Sequence, residues 1–88
     1  MQTNKKKELL SKALGKVVKQ LHDETNLSAR TIAYSMNMSK TTLLLAEQGK
    51  LDPQISTFCK IAEAFYIKPD ELMSRIINEL PSDFFAIE

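Results

Sequence analysis

Apolar residues along this chain recur at spacings of three and four, not two. Between about Lys6 and Glu24, the residues Leu10, Leu14, Val17, Val18 and Leu21 share one side of a 3.6-residue period, with lysines opposite. That pattern predicts an amphipathic helix, and Asn26 marks its stop. Ser28 is a good N-cap and predicts a short helix to about Met36, with Ile32, Ala33 and Met36 as its apolar stripe. Asn37 tolerates the left-handed backbone of a tight turn. Ser39 then caps a third helix, from about Lys40 to Gln48, which Gly49 ends. Asp52 and Pro53 read as a start signal for a fourth helix, from about Pro53 to Tyr66, with Ile55, Phe58, Ile61, Ala62 and Phe65 inward. A fifth opens at Pro69, carries Asp70 and Glu71 at the positive end of its dipole, and runs to about Leu80 before Pro81 breaks it. The predicted fold class is all-α, five helices followed by a short apolar extension. In domain terms, residues 1–9 read as a basic N-terminal arm, 10–80 as one helical domain and 81–88 as a C-terminal tail.

Composition narrows the function. A chain of 88 residues makes one domain. So small a domain buries only about 60–65% of its unfolded surface, which favours association with a second copy. Apolar runs stay well short of the ~20 residues of a membrane span, and the start lacks the apolar stretch and cleavage site of a signal peptide; a cytoplasmic protein is expected. One cysteine, Cys59, excludes an internal disulfide, and with one histidine it argues against zinc. Cys59 lies among the core positions of the fourth helix and reads as a small hydrophobe. The chain shows no nucleophile–base spacing, Gly-rich phosphate loop or paired carboxylates, so neither an enzyme nor a cofactor or metal is expected. Net charge is +1, but residues 1–50 carry nine Lys/Arg against four Asp/Glu, and residues 51–88 carry three against seven. This asymmetry predicts a polarised molecule with a basic surface open to an anion.

The second and third helices, over 28–48, are short and closely joined, the spacing of a helix-turn-helix. The run LSARTIAYSMNMSKTTLLLAEQGKLDPQISTFCKIAEAFYIKPDEL, residues 27–72, resembles the Cro/C1-type (XRE) repressor family. The likeness rests on Leu27, Ser28, Ile32, Ala33, Ser39, Leu43, Glu47, Gly49, Pro53, Ile61, Ala62, Ala64, Phe65, Ile67, Glu71 and Leu72, and with the first helix it covers about residues 10–75. It departs at Ala29, where the family carries a phosphate-contacting glutamine, and at Asn37, where it carries glycine. The resemblance implies a lambda-repressor-like DNA-binding domain that binds double-stranded DNA as a homodimer. It also implies a contact between His22 and Glu47, since His22 occupies the position of a family arginine that pairs with this glutamate.

By the same resemblance, Lys40, Thr41, Leu44 and Leu45 are the base-contacting positions. Lys40 can donate to guanine or phosphate, and Thr41 offers a hydroxyl and a methyl. Leu44 and Leu45 cannot hydrogen-bond, which leaves three readings: a site rich in thymine methyls, a surface for a protein partner, or a helix rotated to bury one leucine. Ser28, Arg30, Thr42, Gln48 and Lys50, with Lys16 and Lys19 of the first helix, are phosphate-contact candidates. Leu72, Met73, Ile76, Ile77 and Leu80, with Phe84, Phe85 and Ile87, make a wide apolar surface. That surface reads as a dimer interface, the alternative being a tail folded back over its own core.

Overall fold

The first helix sets the length of the molecule. In a computed structural model that describes residues 2–84, α1 spans Gln2–Thr25. Its 24 residues rise ~36 Å, close to the 38 Å long axis of the molecule. Four further helices pack along it: α2 (Ala29–Ser35), α3 (Lys40–Glu47), α4 (Ile55–Ala64) and α5 (Pro69–Asn78). Among the described residues there is no strand, and no helix is long and apolar enough to cross a membrane. The segment expected as a free basic arm is instead the first two turns of α1 from Gln2 onward. The reason is local: Gln, Lys, Glu and Leu are good helix formers, and neither Gly nor Pro interrupts residues 2–14.

The core takes one stripe from each helix. Leu14, Val17, Val18 and Leu21 of α1 meet Ile32 and Met36, Leu43, Ile61, Ala62 and Phe65, and Leu72 and Ile76. Leu43, Ile61 and Leu72 are among the side chains most fully removed from solvent, and burial of each contributes roughly 1.5–3 kcal/mol. Leu72 and Ile76 were expected at a dimer face; at 0% and 3% exposure they belong to the protomer's own core. Met73 and Ile77, about 100° further round α5, stay exposed. Leu80 and Phe84 are half-buried, and Phe85 and Ile87 lie outside the described residues.

Left-handed residues end four of the segments. Asn26 (φ 60°), Asn37 (φ 55°) and Gly49 (φ 74°) hold positions suited to their residue types. Tyr66 adopts φ 60° after α4 without that excuse. The fourth helix begins at Ile55, two residues later than Asp52-Pro53 suggests. The Asp52 carboxylate faces Lys7 Nζ at 3.4 Å, and Gln54 takes the N-cap position without a side-chain bond. The later start leaves Ile55 on the solvent side at 83% exposure, where an inward residue was expected.

Candidate functional site

Two serine caps build the α2–turn–α3 unit. Ser28 Oγ accepts the Thr31 N–H at 3.1 Å, and Ser39 Oγ accepts the Thr42 N–H at 3.1 Å. In each cap the serine hydroxyl also lies 2.9 Å from the threonine hydroxyl three residues on. Each cap satisfies a helix donor that would otherwise lack a partner. Between the helices the chain reverses over Met36–Ser39, with the Met38 N–H donating to the Ala33 carbonyl at 3.0 Å.

α3 is anchored from behind. Leu43 and Ala46 are buried, and the carbonyl of Ala46 approaches α1 at Gly15. A Cβ on Gly15 would stand 2.6 Å from that oxygen and 2.8 Å from the Gly49 nitrogen. Glycine is therefore what lets the end of α3 touch α1. One turn further along α3, His22 Nδ1 lies 2.6 Å from Glu47 Oε2, with side chains 20% and 13% exposed. Its other ring nitrogen, Nε2, lies 2.9 Å from the Leu27 carbonyl oxygen. Both neighbours are acceptors. A neutral imidazole donates to one of them; the imidazolium donates to both. His22 thus ties α1 to the end of α3 and to the start of the α2 segment.

With Leu43 and Ala46 inward, steps of about 100° put Thr41 and Leu45 on the opposite side of α3, with Leu44 at a flank. Lys40 and Thr41 are exposed. Leu44 and Leu45 are both half-buried and stand outside the core cluster, so the helix is not rotated to bury just one of them. Arg30, Gln48, Lys50 and Lys19 are exposed, and Thr42 is half-buried behind its cap. Ser28 is exposed although its hydroxyl is engaged in the cap. Lys16 departs from the group: its Nζ lies 3.0 Å from Glu79 Oε1, fastening α1 to the end of α5.

The electrostatics are one-sided. Between Leu27 and Leu51 the sequence holds Arg30, Lys40 and Lys50 and a single acid, Glu47. All three cations are exposed, whereas Glu47 is withdrawn against His22. The outer surface of this stretch consequently offers cations, hydroxyls and apolar groups but no carboxylate. Lys12 adds to it. Its Cα lies 3.2 Å from where a Cβ on Gly49 would stand, so it borders the end of α3, and its side chain is exposed. Sequence reasoning passed over Lys12, yet a signal existed: Lys12, Gly15 and His22 fall on one side of α1. Among the described residues no group of three or more His, Cys, Asp or Glu side chains is placed to hold a metal. Cys59 is a half-buried free thiol. No protein family, characterised protein or solved structure matches the chain.

Proposed function

We propose that this chain is a sequence-specific DNA-binding protein of the Cro/C1-type helix-turn-helix class, a repressor that occupies a palindromic operator as a homodimer. The observation that carries the proposal is the charge pattern of residues 27–51, where three exposed cations surround α3 and the one acid is turned away. A polyanion meets that surface without like-charge repulsion. Size agrees: eight residues of α3 rise ~12 Å, the approximate width of a major groove. In this reading Lys40 and Thr41 address base edges, Leu44 and Leu45 pack on thymine methyls, and Arg30, Gln48, Lys50, Lys19 and Ser28 meet phosphate. Selection of bound sequences from random duplex DNA tests it. A palindrome should be enriched, and Thr41→Ala and Leu45→Ala should change which bases are preferred. Absence of any enriched sequence at low salt would end the reading.

A second reading is favoured by one observation, the two half-buried leucines on the side of α3 away from the core. An apolar pair there suits a protein partner, as in an interaction module or an antitoxin. Salt separates the two. Binding through several phosphates weakens steeply as salt rises, whereas apolar contact does not.

A further inference from the structure

Away from α3, the start of α1, the start of α4 and the outer side of α5 form an apolar face. A groove of about 240 Å³ opens there, lined chiefly by Leu10, Leu51, Pro53, Ile55, Phe58 and Met73. Ile55 (83% exposed) and Ile77 (57%) stand beside it, and Leu9 is also exposed. A second depression, which shares Leu10, continues the face past Ile77 to Leu80 and Phe84. A cavity of ~150 Å³ holds a benzene, so this groove admits a branched aliphatic side chain.

We propose that this face docks a second copy of the same chain about a two-fold axis, the exposed Ile77 of each copy entering the other's groove. Two features select a second copy over another partner. An isologous interface needs projection and recess on one patch, and Ile77 and the groove supply both. The charges are also self-complementary. About one helical turn from Leu9 on α1 stands Lys5, and two turns before Ile77 on α5, on the same stripe, stands Asp70. A two-fold axis exchanges the two helices, so the lysine of one copy comes to face the aspartate of the other. At the groove's edge Asp52 is paired with Lys7, which removes a like-charge clash between the copies. The interface differs from an α5 stripe alone, because Leu72 and Ile76 are spent in the core. The proposal supplies the dimer that a palindromic site requires, but its geometry stands apart from the DNA reading.

Sedimentation equilibrium of the full chain between 1 and 100 µM, without DNA, tests it. The wild type should sediment at twice the chain mass. Ile55→Asp and Ile77→Asp should raise the dimer dissociation constant at least tenfold with unchanged far-UV circular dichroism, since both residues are exposed and an acid suits the first turn of α4. Lys5→Asp and Asp70→Lys should each weaken association, and the double reversal should restore it. A wild type that stays monomeric at 100 µM overturns the proposal and assigns the groove to the tail or another partner. Dimers that persist in both aspartate variants overturn it too. Failure to enrich a DNA sequence would leave these results untouched, so the two readings fail separately.

Discussion

Gly15→Ala isolates the contact that sets the position of α3. In an ordinary helix interior this change stabilises by about 1 kcal/mol, because alanine is the better helix former. Here the added methyl would stand 2.6 Å from the Ala46 carbonyl oxygen and 3.0 Å from the Gly49 Cα, so its nearest contact is short by about 0.8 Å. The obstructing atoms are backbone, and a rotamer change cannot clear them. Ala46 O also accepts the Gly49 N–H at 3.0 Å in the turn that ends α3. Relief therefore means moving the end of α3, and with it Glu47, away from α1 and His22. Overpacking of this kind costs roughly 1–3 kcal/mol, and the lost His22 contact adds a further fraction of the ~1.5–3 kcal/mol of a charge-assisted hydrogen bond. Set against the helix gain, the net is a loss of about 1–3 kcal/mol. For a domain of this size each 1 kcal/mol lowers Tm by roughly 4–8 °C. Urea unfolding followed by far-UV circular dichroism reads it: the midpoint should fall with an unchanged slope. A variant as stable as the wild type, or more so, would show that α1 and α3 are not held in this close approach.

Other changes probe the remaining pieces. His22→Ala strands the Glu47 carboxylate and should cost about 1–3 kcal/mol; with Glu47→Gln it should give a double-mutant coupling of at least ~0.5 kcal/mol in urea melts. Ser39→Ala removes the α3 cap and should cost about 0.5–2 kcal/mol by the same measurement, whereas a loss near zero would deny the cap bond. Tyr66→Gly should raise stability by up to ~1 kcal/mol, because glycine adopts φ 60° without strain. On a selected operator, replacing one contacted thymine by uracil deletes a methyl worth ~0.8 kcal/mol when buried. Affinity should then fall about fourfold in the wild type and much less in Leu45→Ala.

The helices and their punctuation were legible because their signals are local. Ser28 and Ser39 cap through side chains, Asn37 and Gly49 take the left-handed turns, and the core positions follow the helical period. The pairing of His22 with Glu47 was legible only through the resemblance, since no local pattern links residues 25 apart. What stayed hidden depends on tertiary company. Asp52 looks like a cap until Lys7 is seen beside it, and that shift turns Ile55 outward. Leu72 and Ile76 are indistinguishable from Met73 and Ile77 by residue type; the angle of α5 against α1 decides which pair is buried. Lys16 resembles Lys19 until Glu79 arrives from the far end of the fold. The sequence does not distinguish Gly15 from a tolerated helix glycine without the carbonyl that approaches it.

The most direct test of the central claim is equilibrium binding of a fluorescent selected duplex across 50–200 mM salt, by anisotropy, for the wild type and Lys50→Ala. If the outer side of α3 sits in a groove flanked by phosphates, log affinity should fall linearly with log salt, and the variant should lose about one unit of slope. A flat response, with the same slope in both proteins, would contradict it.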